Sequence, residues 1–356
     1  MNIQSTIPTK FWHAIDDNRI QCDVCPRECK LREGQSGMCF VRARHNDQVV
    51  LTTYGRSSGF CIDPIEKKPL NQFYPGSAIL SFGTAGCNLA CKFCQNWSMS
   101  KSKEKDILAS EASPEAITQM ALRHQCKSIA YTYNDPVIFL EYAIDTAQAA
   151  HANNIYSVAV TAGYIQNDAQ QAFFQHMDAA NVDLKAFTEK FYWKVTGGHL
   201  QPVLETLKYL KHETNVWFEI TTLLIPGEND SEEELNNMTQ WIAENLGFDV
   251  PIHFTAFHPD WKMQNKPRTS ILTLQKARQI AKLNGLNFVY TGNVQDTEGG
   301  STYCSNCGHL LIERMGYTLG RWQLTNINQC PNCHTTCAGH FNHQAENWGA
   351  RRLPIK

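Results

Sequence analysis

No run in these 356 residues approaches the ~18 consecutive apolar positions that a membrane-crossing helix needs, so a membrane partner is not expected. The first twenty residues, MNIQSTIPTKFWHAIDDNRI, carry neither a basic start before an apolar run nor a cleavage-like site, and the expectation is a cytoplasmic protein. An excess of one charge is also missing. A formal net charge of −2 offers no basic surplus to attract nucleic acid or an anionic surface, so neither is expected as a partner. There is no Ser-His-Asp arrangement, no His-Glu-x-x-His and no Walker loop, which sets aside the commonest hydrolytic and nucleotide-cleaving designs. No internal repeat or low-complexity tract is present.

Cysteine, by contrast, is abundant and unevenly spread. Of the 14 cysteines, 12 fall within 22–39, 87–94 and 304–337, and none lies between Cys126 and Cys304. Vicinal Cys-x-x-Cys spacing in a reducing compartment reads as metal binding rather than as a disulfide framework. Cys61 and Cys126 stand apart, and Cys126, at the end of an expected helix, reads as inert packing.

Between these clusters, short apolar runs alternate with amphipathic stretches. The strand candidates are SAILSF (77–82), SIAYTY (128–133), IYSVAV (155–160), AANVDL (179–184), VWFEITTLL (216–224), IHFTAF (252–257) and NFVY (287–290). Their β-branched and aromatic content, without alternation, suits strands buried on both faces. Helix signals separate them: Ser113-Pro114 as cap and first residue, Val137, Leu140, Ile144 and Ala147 along one face, a Ser231/Glu234 capping box, and a helix from Thr273 stopped by Asn284-Gly285. The alternation predicts βαβ crossovers and a parallel sheet. About six units suit a partial (β/α)6 barrel, with a doubly wound sheet as the alternative; in both, ligands gather at the C-terminal strand ends. The expected organisation is a cysteine-rich module and linker over 1–75, a core over 76–292 and a second cysteine module over 293–356.

The stretch GTAGCNLACKFCQNW (83–97) follows the first strand and supplies Cys87, Cys91 and Cys94 without a fourth cysteine nearby. Thiolates select zinc, copper(I) or iron–sulfur clusters. A cubane cluster held by three cysteines leaves one iron open, the counterpart of the free position at a catalytic zinc, whereas the plainer reading is a zinc site or unrelated buried thiols.

Cys-x3-Cys-x2-Cys after the first strand of an α/β domain, with Phe93 before the last cysteine, resembles the signature of radical S-adenosylmethionine (SAM) enzymes. The resemblance implies a [4Fe–4S] cluster on Cys87, Cys91 and Cys94, SAM chelated by the open iron, and a 5′-deoxyadenosyl radical that abstracts hydrogen. It also implies cofactor-binding positions at consecutive strand ends. These are Phe93 against adenine, TYNDP (132–136) with Asn134, Asp135 and Pro136, TAGY (161–164) with Gly163, DLK (183–185) with Asp183 and Lys185, and LLIPGEND (223–230) with Ile225 and Gly227. TAGY departs from the polar TNGY of the family, because Ala162 offers no side-chain hydrogen bond. CDVCPREC, DPIEKKPLNQFYPG (63–76), HFTAFHPDWKM (253–263) and YTGNV (290–294) extend the likeness over nearly the whole chain, to the radical SAM enzyme of the AmmeMemoRadiSam system, which is similar to pyruvate formate-lyase activating enzymes. A low-potential donor of flavodoxin or ferredoxin type is implied, with a small molecule or a protein as substrate.

Two four-cysteine sets flank this core. Cys304, Cys307, Cys330 and Cys333, spaced Cys-x2-Cys-x22-Cys-x2-Cys, read as a zinc ribbon, with Cys337 or His334 as substitutes for Cys333. Cys22, Cys25, Cys29 and Cys39 suit zinc or an auxiliary iron–sulfur cluster, with structural zinc the leaning. DPIEKKP is a solvated loop or a substrate contact, and His253 and His258 flank the sixth strand as core or rim residues. Three functions compete: a radical enzyme acting on an unknown substrate, an activase that installs a glycyl radical, and a zinc-only scaffold or nucleic-acid-binding protein.

Overall fold

The computed structural model describes residues 6–15, 18–101 and 110–355. Seven parallel strands form its centre: β1 (Ala78–Phe82), β2 (Ser128–Tyr131), β3 (Tyr156–Thr161), β4 (Ala179–Asp183), β5 (Trp217–Leu224), β6 (Ile252–Ala256) and β7 (Val289–Gly292). Each is hydrogen-bonded to the next in sequence. Helices α1 (Pro114–Arg123), α2 (Leu140–His151), α3 (Asn167–Phe174), α4 (Gln201–Glu213), α5 (Glu232–Leu246) and α6 (Ile271–Leu283) fill the six crossovers. Strand order never reverses, so right-handed crossovers carry every helix to the same face. A sheet clad on one face curls around the other, which gives a partial barrel and excludes the doubly wound alternative. The six strand–helix units agree with the (β/α)6 expectation, and the seventh parallel strand is the expected 287–290 run.

The sheet also reaches beyond residues 76–292. Phe60–Pro64 adds antiparallel to β1, and Leu353–Ile355 adds antiparallel to Phe60–Pro64. The region read as a cysteine-rich module and linker, 1–75, contains two small antiparallel sheets among its described residues. One joins Ile7–Pro8, Gln48–Leu51 and Arg42–His45, the other Trp12–Ile15, Arg19–Cys22 and Lys30–Leu31. Near the C-terminus, Thr302–Tyr303, Leu310–Met315 and Thr318–Trp322 form a third.

Side chains alternate across each strand and so define two interiors. Leu80, Phe82, Ile129, Tyr131, Val182, Ile220 and Phe254 pack outward with Ile117, Leu140, Phe173, Leu207, Met238 and Leu274. Inward, Ile79, Ala130, Val158 and Ala179 meet Ile65, Leu70 and Phe73 from the DPIEKKPLNQFYPG stretch. That stretch is therefore a plug inside the barrel. Glu219, fully buried on β5, clamps it by accepting hydrogen bonds from the backbone N–H groups of Asn71 (2.9 Å) and Gln72 (2.7 Å). Asn181 on β4 donates to the Pro69 carbonyl at 2.8 Å.

Helix ends follow the local chemistry. Ser113 and Ser231 accept from the N–H groups of Ala116 and Glu234. Only half of the capping box forms, because the Glu234 carboxylate takes the Phe187 N–H at 2.7 Å, tying α5 to the loop after β4. Ser270, rather than Thr273, caps α6 and accepts from the Thr273 N–H.

Candidate active site

The cysteine loop leaves β1 at its C-terminal end, and its course is dictated by close backbone approach. A Cβ on Gly83 would lie 2.2 Å from the Thr132 carbonyl oxygen, and one on Gly86 would lie 1.9 Å from that of Cys39. Gly86 also has φ +82°, so glycine is required there on two counts. The Asn134 side chain holds the turn. Its oxygen accepts from the Thr84 N–H at 3.0 Å, and its amide donates to Thr84 Oγ1 and to the carbonyls of Ala85 and Gly86 at 3.0–3.3 Å. Further on, the N–H groups of Ala90 and Lys92 donate to the carbonyls of Thr196 and Val195, and Asn88 donates to the Tyr164 carbonyl.

Cys87, Cys91 and Cys94 open together onto one cavity of about 900 Å³ at the strand ends, and among the described residues no fourth cysteine lines it. Burial pushes the Cys91 thiol up to about 12, against the pull of the nearby Lys185 ammonium. Cys87 is raised for the same first reason. Such thiols ionise only when a metal replaces their protons. Cys94 Sγ lies 3.1 Å from Ser100 Oγ. Lys185 pairs with Asp183 at 2.8 Å and sits 5.8 Å from the centre of the Phe93 ring. Burial opposes its charge, but Asp183 and the Cys91 sulfur outweigh that and raise its pKa.

Several motif side chains also lace neighbouring loops together. The Asp135 carboxylate accepts from the Val137 N–H, the Thr161 hydroxyl and the Ala162 N–H at 2.9–3.1 Å. Burial raises its pKa, opposed by these bonds. Ala162 thus uses its backbone where a polar side chain was expected. Asn229 donates to the Lys185 carbonyl at 2.7 Å, joining LLIPGEND to DLK. Phe93, Asn134, Asp135, Asp183 and Lys185 line the cavity; Pro136, Gly163, Ile225 and Gly227 do not. Ile225 is fully buried, and the Gly227 N–H is spent on Asp230.

Glu66, Lys67 and Lys68, from the DPIEKKP stretch read as a solvated loop or a substrate contact, line the cavity with Asn71. Sequence reasoning missed Arg314, Met315, Tyr317 and Arg352, which arrive from the C-terminal region. Their signal was faint, since no spacing links them to the cysteines. Lys67 and Lys68 both bind Asp63 at 2.8 Å, and Asp63 is held down to about 2: burial opposes this, but the two ammonium groups prevail. His253 lines the cavity yet is a satisfied core histidine, 2.6 Å from Glu219 and stacked on Tyr290, whereas His258 is exposed.

Cys304, Cys307, Cys330 and Cys333 bring their sulfurs within 4.8 Å of one another, with pairs at 3.4 and 3.7 Å. Tetrahedral zinc with Zn–S of about 2.3 Å requires sulfurs roughly 3.8 Å apart, so the set fits one ion. Cys337 is buried apart from the set, pushed up to about 12. Cys22, Cys25, Cys29 and Cys39 line a separate small void.

The description of the radical SAM superfamily matches residues 82–238. The uncharacterized protein MJ0808 of Methanocaldococcus jannaschii is 41% identical over 304 residues, 85% of this chain and 90% of its own length. The 4-hydroxyphenylacetate decarboxylase activating enzyme of Clostridioides difficile is 22% identical over 131 residues, 36% of this chain and 41% of that protein. A radical SAM methyltransferase from Sphaerobacter thermophilus shares the fold, with a TM-score of 0.51 at 14% identity over 86% of this chain and 81% of its own. No described helix is long and apolar enough to cross a membrane. The three-cysteine loop lies inside the matched span, and the chain belongs to the radical SAM superfamily, as an enzyme of SAM-dependent radical chemistry.

Proposed function

We propose that Cys87, Cys91 and Cys94 hold a [4Fe–4S] cluster, that SAM binds at its free iron, and that hydrogen is abstracted from a small molecule in the adjoining space. The observation that carries this reading is the opening of all three thiols, with Phe93, Asp183 and Lys185, onto one cavity of about 900 Å³. A cluster held by these three cysteines would supply the electron for reductive cleavage of SAM and so the hydrogen-abstracting chemistry. Phe93 offers a face to adenine. The backbone of 132–136 and the Asp183–Lys185 pair are proposed to hold the polar part of SAM, Lys185 keeping its charge through Asp183. Plug and C-terminal residues form part of the wall of this space, and a wall that limits water access would protect a reactive intermediate. A flavodoxin- or ferredoxin-type donor is the proposed electron source.

The cavity volume lies at the upper end of the range for small-molecule sites. A seven-stranded barrel is open along one side, and here Gly300, Arg314, Met315, Tyr317 and Arg352 stand among the cavity walls. Walls of this kind favour a small molecule over a polypeptide loop. An activase is the second reading, supported by DLK and by the match to an activating enzyme. For Cys304, Cys307, Cys330 and Cys333 we propose zinc, on the sulfur spacing.

Anaerobic reconstitution with iron and sulfide, followed by reduction in the presence of SAM, should yield 5′-deoxyadenosine, and Cys87→Ala should abolish it. Unchanged cleavage in that variant would overturn the assignment. A glycyl-radical EPR signal in a co-incubated protein would favour the activase.

A further inference from the structure

Cys22, Cys25, Cys29 and Cys39 form a chemical set that the radical site does not use. All four line one small void, together with Arg27, Arg42, Gly37, Asn88 and Ile138. Cys22 and Cys39 are each only 7% exposed. Their spacing separates them from the C-terminal set. Among the described residues, only Cys304, Cys307, Cys330 and Cys333 gather three or more ligand atoms within 4.8 Å of one another. Sulfurs bound to a single zinc sit about 3.8 Å apart, so four thiols spread around a void match a larger inorganic core. A cubane places its ligands on separate iron corners and needs that spread.

The wall of the void carries a second observation. Arg42, with a side chain 2% exposed, donates through Nε to the Ile138 carbonyl at 2.9 Å and pairs through Nη2 with Glu141. Its Nη1 has no hydrogen-bond partner. An unpartnered, buried guanidinium nitrogen beside four thiols is a costly arrangement unless an anionic group shares the space, and a four-thiolate cluster is one.

We infer that Cys22, Cys25, Cys29 and Cys39 bind a second iron–sulfur cluster of the four-cysteine cubane type, against the zinc leaning of the sequence. Its site backs directly onto the radical loop. The Cys39 carbonyl presses on Gly86, Asn88 belongs both to the void wall and to the cysteine loop, and Arg27 Nε donates to the Asn88 carbonyl at 2.9 Å. One backbone segment, 86–88, lies between the two cysteine sets.

The full-length chain carrying Cys87→Ala, Cys91→Ala and Cys94→Ala, reconstituted anaerobically, should retain about four iron and four sulfide and show a [4Fe–4S] EPR signal on dithionite reduction. In the otherwise native chain, Cys22→Ser with Cys39→Ser should lower iron from about eight to about four per chain while SAM still perturbs the EPR signal of the remaining cluster. Loss of all iron in the triple variant, with two zinc ions per chain in the native protein, would overturn the inference. Should the triple variant fail to fold, four rather than eight irons in the native chain would overturn it equally. Absence of SAM cleavage alone would count against the radical site and leave this cluster standing.

Discussion

Asn134 shows how one side chain can decide whether a metal loop exists. Its amide serves both faces of the turn at 84–86, and no other side chain in the TYNDP motif reaches that turn. Asn134→Ala leaves the buried Thr84 N–H without that acceptor and the Gly86 carbonyl without that donor, at a cost of about 1–3 kcal/mol. The expected result is a lower denaturation midpoint together with fewer irons per chain after reconstitution. Glu66 is a second telling residue. Burial raises its carboxyl to about 7, against the attraction of Arg314. An acid with a folded pKa above its unfolded value keeps its proton in the folded state, so stability falls as pH rises from the unfolded value through about 7. Full titration would cost of order 3 kcal/mol. Glu66→Gln keeps an acceptor for the Gly76 N–H, now bonded to Glu66 at 2.7 Å. Urea midpoints at pH 5 and pH 7.5 should therefore differ less in the variant than in the parent.

At the scale of elements, the plug changes what a barrel interior is. In a full eight-stranded barrel, layers of branched side chains fill the centre. Here the inward residues Ala130 and Ala179 are small, and a segment from outside the βα units supplies Ile65, Leu70 and Phe73 to meet them. Leu70→Ala should cost about 2–5 kcal/mol, because a fully buried side chain leaves a cavity between two elements that cannot close independently. It should also loosen Lys67, Lys68 and Asn71, which the plug presents to the cavity, and so weaken SAM binding measured by calorimetry. Unaltered stability would mean that the barrel floor holds without the plug. The βα units themselves were readable from their apolar runs. The strand Phe60–Pro64 was not, because its FCIDP sequence is short and ends in proline, a signal for an edge or a turn.

For the whole molecule, the two ends of the chain close what the barrel leaves open. Leu353–Ile355 pairs with Phe60–Pro64, and Arg314 Nη2 contacts the plug at the Asn71 carbonyl at 2.5 Å. Ending the chain after residue 349 removes Ala350 and Arg352 from the cavity wall and bares the Phe60–Pro64 edge. The expected outcome is a lower thermal midpoint and more SAM cleavage uncoupled from substrate, with iron at the radical site retained. Equal coupling in both forms would show that the wall has no part in shielding the reaction.

The succession of strands, the Ser113 and Ser231 caps and the position of the three-cysteine loop came from local sequence alone, because they rest on hydrogen bonds and apolar contacts between near neighbours in the chain. The family followed from the same stretch, since the spacing of Cys87, Cys91 and Cys94 is a property of one turn. What lies inside the barrel, which motif residues face the cavity, and how far apart the sulfurs of Cys22, Cys25, Cys29 and Cys39 sit were decided only by the assembled chain. Those features depend on contacts between residues as distant as Asn71 and Glu219, or Cys39 and Gly86, and no local pattern encodes such a meeting.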